Sequence, residues 1–217
     1  VELETEIAGE RVRLLPERAL YRPATGDLLI ADPHWGKAAA FRAAGVPVPG
    51  GTTAEGVERL SAAIDRTGAR RLVILGDLFH ARTSRQPATL ATVRAWRERH
   101  PDLAITLIRG NHDRHAGDPP GELGIDCCDP PCADPPFLLA HHPFEPESGY
   151  LLAGHVHPSV TLRGVGRQRE RLPCFHFGAR VGVLPAFGDF TGTADVAVAP
   201  GDRVFVVAGD RVVPVAG

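Results

Sequence analysis

The chain has 217 residues, 43% hydrophobic and 23% charged, the make-up of an ordinary globular protein, expected as one domain over residues 1–217. No apolar run approaches the ~18 residues of a membrane-spanning helix, so that class is excluded. A net charge of −2 provides no strong overall field for nucleic acid or a membrane surface.

Val1 to Glu6 is acidic and lacks an apolar stretch, so no signal peptide is expected there, and a cytoplasmic protein is. Residues 28–31 read as a buried strand. Residues 53–67 read as a helix, with Thr52 or Thr53 as N-cap and Gly68 closing it. Its Val57, Leu60, Ala63 and Ile64 keep helical spacing. Residues 72–75 form a second strand. Residues 87–100 form a second helix, with Pro87 at its start and Pro101 just past its end. Residues 104–108 form a third strand. This alternation predicts a sheet covered by helices.

The second half changes character. Residues 118–136 are Pro-rich and read as an irregular connection. Short β-like runs follow at 137–140, 151–153, 160–162, 181–184, 196–198, 203–207 and 212–215. Residues 167–171 read as a solvated charged turn. Cys127, Cys128, Cys132 and Cys174 are expected as reduced thiols. The spacing of the first three matches no zinc pattern of facing cysteine pairs.

The chemistry gathers where strands end. The first strand leads into Asp32-Pro33-His34, the second into Gly76-Asp77-Leu78-Phe79-His80, the third into Gly110-Asn111-His112-Asp113. His141-His142 and Gly154-His155-Val156-His157 follow later apolar runs. In an open α/β sheet ligands bind outside the carboxyl ends of the strands, so these groups are expected to meet. Asp32 with His34, and His155 with His157, project the same way if the backbone stays extended. Nitrogen and oxygen donors without thiolates suit Mn, Fe, Zn or Ni. Two such ions about 3.5–4 Å apart can activate one water and clamp a phosphoryl oxygen. No Walker A loop is present.

This order of motifs resembles the calcineurin-like metallophosphoesterase superfamily. The stretch from Leu28 to Lys37 with Phe41-Arg42, and Leu-Pro-Ala-Phe-Gly-Asp-Phe-Thr-Gly at 184–192, resemble its ligase-associated, DNA-damage-response endonuclease branch. The resemblance implies an α/β fold, a four-layer α/β/β/α sandwich with two central mixed sheets. It implies two divalent metal ions, Mn first. Asp32, His34, Asp77 and His157 would hold one; Asp77, Asn111, His141 and His155 the other. His141 is favoured over His142 because it comes first after the strand. His112 would contact phosphate and protonate the leaving oxygen, with Asp113 orienting it. His80, Lys37 and Arg42 would stand beside the metals or meet substrate, and Arg114 and Arg180 are further candidates for that role. The implied substrate is DNA or another phosphodiester, in a repair system with an ATP-dependent DNA ligase. A nucleotide or other small phosphate ester is the alternative substrate. A repair-complex scaffold with a structural metal site is the alternative of another class, and a structural site would need no acid such as His112.

Overall fold

A computed structural model describes residues 1–48, 50–164 and 169–215. Its first element is a hairpin the sequence reading did not anticipate. Strands β1 (Leu3–Ile7) and β2 (Glu10–Leu15) are joined by Ala8 and Gly9, both with positive φ, the turn whose twist suits a two-residue hairpin. β3 (Ala19–Arg22) and β4 (Asp27–Ile30) continue the antiparallel run. β5 (Arg71–Ile74), β6 (Ala104–Ile108) and β7 (Ile125–Cys128) then add in parallel, giving a seven-stranded mixed sheet in chain order.

Side-chain alternation decides what each face of that sheet meets. Leu28, Ile30, Leu72 and Ile74 join one apolar cluster with Val57, Leu60, Ala63 and Ile64 of α2 (Thr52–Thr67) and Val93 and Trp96 of α3 (Pro87–Arg99). Leu29, Val73 and Leu75 join a second cluster with Phe137, Leu139, Leu152, Phe175 and Phe177 of the other sheet. That sheet comprises β8 (Cys132–Asp134), β9 (Phe137–Leu139), β10 (Tyr150–Ala153), β11 (Pro158–Arg163), β12 (Arg169–Phe177), β13 (Val181–Val183), β14 (Ala194–Asp195), β15 (Arg203–Ala208) and β16 (Arg211–Val215). β9, β10 and β13 are parallel to one another within it. Two mixed sheets therefore pack face to face, as the α/β sandwich requires. Among the described residues, the helical side chains that join an apolar cluster all pack on the first sheet.

Four local expectations are corrected. The N-cap of α2 is Gly51, not Thr52 or Thr53. The Thr53 hydroxyl is already engaged, accepting the Gly36 N–H at 3.1 Å. Residues 118–136 are not merely irregular. Their prolines flank rather than interrupt β7 and β8, which are edge strands of the two sheets. Cys128 and Cys132 are not free thiols but form a disulfide between the end of β7 and the start of β8; Cys127 and Cys174 remain reduced. Residues 196–198 form no strand, because the pairing with β11 falls two residues earlier, on β14. Of the charged turn at 167–171, Arg167 and Gln168 lie outside the described residues. Arg169 to Arg171 open β12 and are exposed.

One buried arginine ties the two sheets together. Arg22 is fully buried and binds Glu10 through two nitrogens, at 2.7 and 3.0 Å. It also donates to Asp134 at 2.8 Å and to the Pro135 carbonyl at 2.9 Å. Arg71 completes the network with two bonds to Asp27, at 2.9 and 2.8 Å, and one to Asp134. Arg22→Met is expected to cost about 3–5 kcal/mol in denaturant unfolding, since Glu10 and Asp134 lose their partner. Arg22→Lys should recover little, because an ammonium cannot make the two-nitrogen bond. A midpoint equal to wild type in either variant would refute the assignment.

Candidate metal centre

The parallel strands of both sheets deliver their carboxyl ends to one place. Asp32 follows β4, Asp77 follows β5, and Asn111 opens α4 (Asn111–Ala116) after β6. His141 follows β9, and His155 and His157 follow β10. The expected extended backbone is not what aims these side chains. Asp32, His34, Asp77, His155 and His157 all have φ between 46° and 68°. They are five of the seven described non-glycine residues in the left-handed region. Each such residue costs on the order of 1–3 kcal/mol and persists only where its surroundings enforce it. Backbone bonds do so here: Asp32 N–H donates to the Gly76 carbonyl at 3.2 Å and His34 N–H to the Asp77 carbonyl at 3.0 Å. Glycines admit the close packing. A Cβ on Gly76 would lie 2.3 Å from the His141 ring, and one on Gly110 would lie 2.3 Å from Asp77 Oδ1.

Asp77 stands at the middle. Its Oδ2 lies 3.7 Å from His34 Nε2, 3.4 Å from His141 Nε2 and 3.9 Å from His112 Nε2, while its Oδ1 accepts the His112 N–H at 3.0 Å. Asp32 Oδ2 accepts the His155 N–H at 2.9 Å, leaving Oδ1 facing His157 Nε2 at 3.3 Å. Backbone carbonyls fix two of the imidazoles. His141 Nδ1–H donates to Leu75 at 2.9 Å and His157 Nδ1–H to Gly192 at 2.8 Å. Both Nε2 atoms thus turn inward, the way a carbonyl partner orients a ligating histidine. Asn111 Oδ1 comes within 3.0 Å of His141 Nε2, and His155 Nδ1 within 3.1 Å.

These donors fit divalent cations. Asp32 Oδ1 is buried with no hydrogen-bond partner, a costly state unless something positive meets it. Three of the groups able to hold an ion are Asp32 with His34 and His157, Asp32 with Asp77 and His141, and His141 with His142 and His155. Burial, reinforced by Lys37, His157 and His112 against the pull of Asp77, drives His34 down to about 2, so it stays neutral, the form in which an imidazole can ligate a metal. Burial pushes the Asp77 carboxyl up, but His141, His34 and the His112 N–H outweigh it and hold it at about 2. Burial also lowers His141, yet Asp77 and Asp32 raise it overall. The carboxylates that draw a proton to that ring are those that would draw a cation.

The remaining sequence candidates separate into two sets. His112 reaches the centre, with Nδ1–H given to the His80 carbonyl and a third of its side chain exposed. His80 packs 4.6 Å from His112 and 5.4 Å from His34, centre to centre. Burial, Lys37 and His112 lower it to about 4. Lys37, at the start of α1 (Lys37–Ala43), is lowered by burial against the pull of Asp77 and Asp32. Arg42 stands at the other end of α1 and lines a groove with Thr52, Thr53 and Thr89, none of them a ligand candidate. Arg180 faces Glu145 at 3.7 Å. Burial and His141 lower His142, and Arg114 adds a smaller push in the same direction.

Asp113 does not orient His112, which corrects the sequence expectation. It is buried, and its oxygens accept the backbone N–H groups of Asp77 (2.7 Å), Gly110 (2.8 Å) and Leu78 (3.0 Å). It pins the Asp77 loop. His141 is buried and His142 exposed. Yet the His142 ring lies 3.9 Å from that of His155, centre to centre and tilted by 53°, a contact the sequence signalled only through adjacency to His141. Other histidines have structural partners: His100 meets Ser61 at 2.8 Å, His115 the Asn111 carbonyl at 2.7 Å, and His176 the Asp202 carboxylate at 2.7 Å.

Two mixed sheets that bring carboxylates, imidazoles and an amide to one cluster define an α/β sandwich protein built to bind divalent metal. No protein-family model and no curated protein matches the chain. Among solved structures, the nuclease MPE of Pseudomonas putida superposes with a TM-score of 0.89 and 44% identity, over 99% of this chain and 100% of that one. The E. coli phosphoesterase Yfce gives a TM-score of 0.41 and 17% identity, over 85% and 88%. The chain belongs to the metallophosphoesterase family and is a metal-dependent phosphoesterase.

Proposed function

We propose that this enzyme hydrolyses phosphodiester bonds in DNA with two manganese ions. The carrying observation is Asp77 Oδ2, set between the inward nitrogens of His34 and His141. Asp32, His34, Asp77 and His157 would hold one ion, and Asp77, Asn111, His141 and His155 the other. When bound, such ions activate water and neutralise phosphoryl charge. The chain's own acid is His112. Its Nδ1–H is committed to the His80 carbonyl, which leaves Nε2 to hold the proton given to the leaving oxygen. Nitrogen and oxygen donors without a thiolate suit manganese, iron, zinc or nickel, and the family resemblance puts manganese first. The nuclease neighbour supports nucleic acid as substrate. Resemblance to the ligase-associated branch supports a cytoplasmic role in DNA repair beside a DNA ligase.

Chelation should abolish activity, and manganese should restore it with two ions bound per chain, counted by mass spectrometry. The reloaded enzyme should cleave bis-p-nitrophenyl phosphate and single-stranded DNA faster than p-nitrophenyl phosphate. Intact DNA with rapid monoester turnover would sink the DNA reading. His112→Asn should lower kcat by about 10²–10⁴ while metal content stays at wild-type level. Loss of metal in that variant would move His112 from acid to ligand.

A further inference from the structure

A cavity of about 310 Å³ opens beside the metal centre, lined by Lys37, Phe41, Asp189, Phe190, Thr191 and Gly192. Both of its walls are tied to the centre. Phe41 stands on α1, which begins just after His34, and its ring lies 5.9 Å from that of His80. The opposite wall ends at Gly192, whose carbonyl accepts the His157 Nδ1–H. Arg18 at 2.9 Å and Arg59 at 2.6 Å hold Asp189, so the acid on this wall is neutralised. Phe41 and Phe190 meet edge to face, 5.6 Å between ring centres at 83°, and both are half-buried. Each ring therefore keeps surface for a third partner.

The chemistry of the walls selects the occupant. Two phenyl rings with one ammonium beside them suit a flat, uncharged ring carried next to an anion. A sugar would leave its hydroxyls unpaired against the rings. A base stacks on an aromatic side chain whatever its identity, provided that its faces are not already stacked in a duplex. We propose that Phe41 and Phe190 form a stacking platform for an unpaired nucleobase next to the scissile phosphodiester, with Lys37 facing an adjoining phosphate. This rests on the nuclease reading above.

The test compares kcat/KM on a short single-stranded oligodeoxynucleotide with kcat/KM on methyl p-nitrophenyl phosphate, a diester with no base. In Phe41→Leu and Phe190→Leu the oligonucleotide-to-diester ratio should fall about 5- to 150-fold. Phe190→Tyr should keep the wild-type ratio, which separates stacking from damage to the fold. Metal-free wild-type protein should also quench a fluorescent purine in the oligonucleotide, and Phe190→Leu should not. An unchanged ratio in both leucine variants overturns the platform and leaves the nuclease reading standing. Wild-type turnover of the diester without any cleavage of the oligonucleotide overturns both.

Discussion

Asp77→Asn is expected to abolish phosphodiester hydrolysis, by a factor on the order of 10³ or more, and to reduce bound metal from the two proposed ions to one or none. The geometry makes this the most damaging single-atom change. Asp77 Oδ1 has a structural duty, accepting the His112 N–H, and an asparagine oxygen would keep it. Oδ2 has no backbone donor and faces three imidazole nitrogens instead. In the variant an amide nitrogen would take that place, presenting hydrogens and no charge. Fold should survive, because the substitution is isosteric. The stabilisation that added manganese gives the wild type should shrink, since a bound ion raises the melting temperature only through its affinity for the folded state. Activity, metal content and the manganese-induced Tm shift are the three readings. An Asn variant that binds two ions and keeps a tenth of wild-type activity would remove Asp77 from the centre of the site.

Much of that centre was legible because each motif puts ligand residue types directly behind an apolar run. Strand ends were therefore readable as site positions, and Asp32, Asp77, Asn111, His141 and His155 all converge. What stayed hidden was direction. The sign of φ at Asp32 or His157 is not written in those residue types; only the tight glycines beside them, Gly76 and Gly154, hint at close approach. His112 and Asp113 show the same limit. Neighbours in a motif look like partners, but on α4 successive side chains point roughly 100° apart. One turns toward the Asp77 carboxylate and the other toward the backbone of the Asp77 loop. The N-terminal hairpin was missed because its turn uses alanine at positive φ, where glycine or asparagine would have announced it. The disulfide ran against the expectation because reduced thiols followed from the expected compartment, whereas Cys128 and Cys132 stand only four residues apart, at the end of β7 and the start of β8.

The buried Asp113 carboxylate gives the second large prediction. Asp113→Ala is expected to cost about 3–6 kcal/mol, because the N–H groups of Asp77, Leu78 and Gly110 would be left buried without an acceptor. For a chain of this length that corresponds to a fall in Tm on the order of 10 °C. Asp113→Asn separates the two roles the residue could have. If Asp113 oriented His112, the amide would shift the limb of the pH–rate profile that reports the acid and leave Tm alone. With the observed bonds the opposite follows. The His112 Nδ1–H belongs to the His80 carbonyl, so the acid limb should stay where it is. The amide NH₂ of asparagine would face a backbone N–H that needs an acceptor, so Tm should fall in both variants, less in Asn than in Ala. Activity should drop with it, through misplacement of Asp77 and with a matching loss of bound metal. A shifted acid limb at unchanged Tm would return Asp113 to the proton-transfer pair that the motif alone suggests.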